Sequence, residues 1–159
     1  MAETRGRTIL ETTADAVVLR GPIDEGTALT GLLERARDRR LVLDLGGVTF
    51  INSLGLRDWI RMLAGAQRAA IAIELRRVAE PIVHQMNMIL AARGGARVVS
   101  FFAPYLCGGC GREDAVLLET AAHAAALARR TAPRVTCTEC GDPMEFNDFP
   151  ERYFSFLPV

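Results

Sequence analysis

The chain has 159 residues, half of them apolar and 24% charged, a globular composition with room for one ordinary domain or two small ones. Nineteen basic residues balance nineteen acidic ones, so no net field recruits nucleic acid or an anionic membrane. Every basic residue is arginine, which excludes the lysine of a phosphate-binding loop, of a kinase site and of a Schiff-base enzyme. The start, Met1–Asp15, lacks an apolar signal core, and no stretch approaches the ~20 apolar residues that span a bilayer. A cytoplasmic protein without membrane insertion is expected.

Composition changes along the chain. Residues 1–100 hold 14 Arg against 11 acids, and residues 101–159 hold 5 against 8. Eight of the ten aromatic residues and all four cysteines follow residue 100. Two modules are expected, 1–103 and 104–159.

In the first module, Thr8–Thr12 is a weak strand candidate and Ala16–Arg20 a strong one, ended by Gly21-Pro22. Asp24 offers an N-cap for a helix whose apolar face is Ala28, Leu29, Leu32, Leu33 and Ala36. Leu41–Leu45 reads as a buried strand. Leu56, Trp59, Ile60 and Leu63 then repeat at helical spacing, and Ala70–Leu75 is another strand. A helix begins near Pro81, with Ile82, Val83, Met86, Ile89 and Leu90 as its buried face and Gly94-Gly95 as its stop. Arg97–Phe102 is the last strand. Strands alternating with helices predict an α/β layer with parallel pairs. Asp44 reads as hydrogen-bonded structure, and His84 as an ordinary surface or boundary histidine rather than a ligand.

The segments Leu19-Arg20-Gly21-Pro22-Ile23-Asp24, Val42-Leu43-Asp44-Leu45-Gly46-Gly47-Val48 and Ile51-Asn52-Ser53-Leu54-Gly55-Leu56 stand in this order with family-like spacing. Over roughly residues 5–102 the chain resembles the STAS domain, the fold of bacterial anti-sigma-factor antagonists and sulfate-transporter tails. The resemblance implies a mixed sheet with helices mainly on one face and no catalysis of its own. It implies docking to a serine kinase or anti-sigma factor through Asp24, Asn52, Ser53, Leu54, Gly55 and Leu56. It also implies switching by phosphorylation at Ser53, although Asn52 stands where the family usually has Asp. Independently, Ser53 sits at a strand-to-helix junction, where free N–H groups favour an anion. A plain capping role for Asn52 or Ser53, worth about 1 kcal/mol, is the competing reading.

In the second module, Cys107-Gly108-Gly109-Cys110 and Cys137-Thr138-Glu139-Cys140 form two C-x₂-C pairs, each followed by Gly. Two such knuckles resemble those of zinc ribbons and close a tetrahedral four-sulfur site for structural Zn²⁺; iron in a rubredoxin-like site would use the same ligands. A dithiol redox role is the competing chemistry. The spacer is expected to hold a helix over Glu113–Arg130, and His123 within it reads as a non-ligand. A tetrathiolate zinc would bring this acidic module to about −5, which disfavours nucleic acid. Phe146, Phe149, Tyr153, Phe154 and Phe156 are expected to complete a small core or pack on the first module. The expectation is a non-enzymatic regulator of the partner-switching type. An unswitched structural adaptor in a signalling or transport complex, and a Cys-dependent redox or metal protein, are the alternatives.

Overall fold

The computed structural model describes residues 6–158; Met1–Arg5 of the polar start, and Val159, lie outside the described residues. Among the described residues the chain forms two sheets. The first contains β1 (Ile9–Thr12), β2 (Val17–Ile23), β3 (Arg40–Ile51), β4 (Ala72–Arg76) and β5 (Arg97–Val98), in that spatial order. β1 runs antiparallel to β2, and the other neighbours are parallel, so the sheet is mixed.

Side chains alternate across a strand, and the alternation decides which face is covered. Leu41, Leu43 and Leu45 of β3 are buried with Ile73 and Leu75 of β4 and Val17 and Leu19 of β2. Helices α1 (Ser53–Arg68) and α2 (Glu80–Met88) add Trp59, Met62, Leu63, Ile82, Val83 and Met86 to this core. The opposite parity, Arg40, Asp44, Glu74 and Arg76, carries charge. Arg40 and Arg76 hydrogen-bond opposite oxygens of Glu74, at 2.7 and 2.9 Å. Burial pushes the Glu74 carboxyl up, and these two guanidinium groups bring it below its ordinary value.

Several sequence expectations are corrected. β2 does not end at Gly21-Pro22. Gly21 takes a left-handed φ of 89° at a register shift, and Pro22 lies beyond the residues that pair with β1, so its missing N–H costs no bond on that side. Asp24 caps no helix. Its Oδ1 accepts from the Gly26 N–H at 2.9 Å in a turn, and the helix expected after it is a 3-10 turn, Thr30–Arg35. The three-residue period of that turn buries Leu29 and Leu32 together, and Gly31 removes helix propensity.

β3 continues through Gly46-Gly47. A Cβ at 46 would lie 2.7 Å from the Arg77 guanidinium, and one at 47 would lie 2.7 Å from Arg20 Cγ; glycine lets both side chains cross the strand. α2 ends at Met88, before Gly94-Gly95. Ile89 turns extended, leaving it and Leu90 exposed rather than buried, while the Trp59 indole takes the Ala92 carbonyl at 2.7 Å.

The expected strand Arg97–Phe102 breaks at Val99. Its second part becomes β6 (Ser100–Cys107), which leaves the first sheet and enters the second. That antiparallel sheet has the order β7 (Glu113–Glu119), β6, β9 (Pro143–Phe146), β8 (Val135–Thr136). The helix expected over Glu113–Arg130 is therefore corrected. Its first seven residues are β7, and only Ala124–Ala128 are helical, as α3. Hairpin pairing of β7 along β6, from Ser100↔Glu119 to Leu106↔Glu113, outweighs the helix propensity of alanine and leucine.

The 103/104 composition boundary falls inside β6, and a single buried cluster contains both Leu43 and Tyr153. The C-terminal turns, α4 (Pro150–Tyr153) and a 3-10 turn Phe154–Phe156, lay aromatic rings across β6. Phe101 meets Phe154 and Phe156 edge-on, and Phe146 stacks on Phe154 at 5.0 Å. Asn87 of α2 grips this tail. Its Nδ2 donates to the Tyr153 carbonyl at 2.8 Å, and its Oδ1 accepts from the Phe156 N–H at 2.8 Å.

Asn87→Ala removes these bonds between α2 and the tail, and should destabilise the protein by about 2 kcal/mol. Urea denaturation checks it: the midpoint falls while the slope is unchanged.

Candidate metal centre

Two hairpins of the same design carry the cysteines. The first knuckle, Cys107–Gly111, joins β6 to β7, and the second, Cys137–Gly141, lies between β8 and β9. In the first, the Cys107 N–H donates to the Arg112 carbonyl at 2.8 Å, and the Gly111 N–H to the Cys107 carbonyl at 2.9 Å. In the second, the Cys137 N–H donates to the Asp142 carbonyl at 2.8 Å, and the Gly141 N–H to the Cys137 carbonyl at 3.0 Å. Gly111 and Gly141 have φ of 74° and 79°, left-handed values that explain a glycine after each pair. β6 and β9 pair antiparallel, with Cys107 opposite Met144, and that ladder brings the two knuckles face to face.

The four Sγ atoms lie within 4.8 Å of one another. Cys107 and Cys140 are 3.4 Å apart, and Cys110 and Cys137 are 3.7 Å apart. A tetrahedron with metal–sulfur bonds of about 2.3 Å has edges of about 3.8 Å, so the donor set fits a four-coordinate ion. All four cysteines are free. Cys107 and Cys137 are buried at 1% and 2%, while Cys110 and Cys140 face outward.

The electrostatics point the same way. The Cys110 N–H, opposed by burial and helped by Cys140, lowers the Cys107 thiol to about 7. The Asp142 N–H favours a thiolate at Cys140, yet Cys107, burial and the other two sulfurs together push that thiol up to about 12. Cys110 is raised too, chiefly by Cys107 against the Arg112 N–H. Thiolates packed this closely repel one another, and a cation at their centre removes the repulsion.

Arg112 and Asp142 escape the sequence reading of the site. Arg112 donates to Glu139 of the opposite knuckle at 2.5 Å and to Asp114 of β7 at 3.3 Å, tying the hairpins together outside the sulfurs. A Cβ at Gly109 would lie 2.0 Å from the Asp142 carboxylate, so the second glycine of Cys107-Gly108-Gly109-Cys110 makes room for that side chain. The glycine pair was the available signal; its partner 33 residues on was not. His123 precedes α3 and is no member of the cluster.

The other predicted residues gather at the far end of β3. Asn52 caps α1, its Oδ1 accepting from the Gly55 N–H at 2.8 Å and its Nδ2 donating to Glu25 at 2.7 Å. Ser53 is exposed in the first turn, Leu54 is exposed, Asp24 is half-buried, and Leu56 packs half-buried on the core. Gly55 is buried, and a Cβ there would lie 2.3 Å from the Ile23 carbonyl. Glycine at this position lets the α1 tip approach the end of β2. No helix of the described residues is long and apolar enough to cross a membrane. No protein-family model and no curated protein matches the chain.

Cys140 is exposed and adds little packing, so its replacement tests the sulfur alone. Cys140→Ser should abolish metal retention and remove more than about 3 kcal/mol, lowering Tm by about 6–12 °C. Calorimetry with elemental analysis reads both; an unchanged Tm with metal retained contradicts a ligand role.

Proposed function

We propose that the chain is a non-enzymatic regulatory binding protein of the partner-switching type. In this reading a STAS-like sheet presents the tip of α1 to a serine kinase, an anti-sigma factor or a related signalling partner. A four-cysteine zinc site holds the second sheet in shape. The observation that carries the reading is the junction at Asn52-Ser53: an exposed serine in the first helical turn, with an exposed Leu54 beside it and Asp24 and Glu25 nearby. The mixed sheet, with β1 antiparallel at its edge, supports the reading.

The physics of a switch is available there. Phosphate on Ser53 would add about −1.5 to −2 charges next to Glu25, which Asn52 already holds against the helix tip. First-turn N–H groups attract the phosphate and Glu25 repels it, so the surface rearranges where a partner would dock.

Around the proposed zinc, four thiolates would complete a tetrahedral shell and leave no position for a reacting water. That closed shell supports a structural role rather than a catalytic one. Asn52, in place of the acid usual in the resembling family, favours a second reading, an adaptor whose binding is not switched.

The test is partner capture by wild type, Ser53→Ala and Ser53→Asp, with phosphosite mapping after incubation with a serine kinase of the source organism. Switching predicts modification at Ser53 and at least tenfold weaker capture by Ser53→Asp, with Ser53→Ala unchanged. Equal capture by all three proteins, with Ser53 unmodified, sinks the switch and leaves the adaptor.

A further inference from the structure

A groove of about 390 Å³ opens at the opposite end of β3 from Ser53, between the Thr13–Ala16 turn and the Arg37–Arg40 turn. Its walls carry Arg35, Arg37, Arg40 and Arg76 against two acids, Asp15 and Asp38. Val17, Leu41 and Val42 also line it, so charge and apolar surface meet in one concavity. The volume lies within the range of about 300–1,000 Å³ that small-molecule sites occupy.

The arginines are not equivalent. Arg40 and Arg76 share Glu74, and their charges are partly neutralised. Arg35 donates only to the neutral Thr12 hydroxyl, at 2.7 Å, and Arg37 has no side-chain partner among the described residues. Among the described residues, neither Asp15 nor Asp38 approaches a guanidinium closely enough to form an ion pair. Two cations therefore face the groove with open donor capacity.

Backbone geometry adds an independent observation. The Arg37–Arg40 turn is closed by reciprocal N–H···O bonds of 2.9 Å and places Asp38 and Arg39 at φ of 50° and 57°. Such tight hairpin turns ordinarily use Asn-Gly, because left-handed backbone is unfavourable for a side chain such as that of Arg39. Arg39 itself points away, to the Ala69 carbonyl at 3.3 Å. The turn places Arg37 and Arg40 at the groove.

We infer that this groove binds a small ligand bearing a phosphate monoester or pyrophosphate, held by Arg35 and Arg37 with its less polar part against Val17, Leu41 and Val42. Guanidinium forks match phosphate oxygens two at a time, which a lone ammonium does not. The same group could arrive free, as in a nucleotide, or on a lipid headgroup. The site is remote from Ser53, so it stands whether or not the partner-switching reading does.

Calorimetric titration of the intact 159-residue chain with pyrophosphate and with ADP tests the free form. Co-sedimentation with phosphatidylcholine vesicles containing phosphatidic acid tests the lipid-borne form. The decisive variant is Arg35→Gln with Arg37→Gln; Arg129→Gln with Arg134→Gln, two exposed arginines away from the groove, removes the same charge. Saturable binding of any probe that weakens at least tenfold in the first variant and stays within twofold in the second supports the site. The probe that binds identifies the source. No binding of any probe by folded wild type, or equal weakening in both variants, overturns it.

Discussion

Four sulfurs drawn into one tetrahedral cluster are the constraint on which the C-terminal third of the molecule depends. β8 has two residues and β9 has four, too short to hold a register by themselves. Their pairing with β6 sets the second knuckle opposite the first, so a tie between the knuckles would hold both short strands in place. Left without a cation, the cluster would hold thiols whose ionisation is mutually opposed, one near 7 and another near 12. A metal ion bound there would turn this conflict into a tie across the second sheet, and Arg112 links the same hairpins from outside through Glu139 and Asp114.

That tie is transmitted to the first sheet by one strand and one tail. β6 begins beside Val78, which bridges to Phe101, and ends in Cys107 of the four-cysteine cluster. The rings of Phe146, Tyr153, Phe154 and Phe156 pack across it, and Tyr153 donates to the Phe102 carbonyl at 2.6 Å. Asn87 fastens the tail to α2. The two sheets therefore share a core, and disturbance at the sulfurs should be felt by α2 through these contacts. In contrast, the α1 tip at Ser53 and the arginine groove occupy opposite ends of β3 and depend mainly on the first sheet.

Legibility followed the range of the interactions. The cysteine pairs with their trailing glycines were readable because knuckle geometry is local. So was the capped start of α1, where Asn52 and the spacing of Trp59 and Leu63 define a helix and its buried stripe. The parallel pairs followed from alternating strands and helices, whereas the mixed sheet was only what the resemblance implied. Errors arose where distant side chains decide. Gly46 and Gly47 look like a strand end until Arg77 and Arg20 are seen to cross them. Gly21-Pro22 looks like a stop until the β1 pairing is known to finish one residue earlier. Glu113–Glu119 has helix-forming residues, and only the pairing along β6 makes it a strand. The continuity of β6 across the composition boundary was hidden because aromatic content changes there while the backbone runs on.

The most direct measurement is native mass spectrometry of the intact chain, joined to titration of its thiols. The account predicts one zinc ion per chain, four thiols that react only after chelation, and loss of near-UV circular dichroism from the aromatic cluster as the metal leaves. Four freely reactive thiols in a metal-free chain that keeps its aromatic signal and its Tm would contradict it.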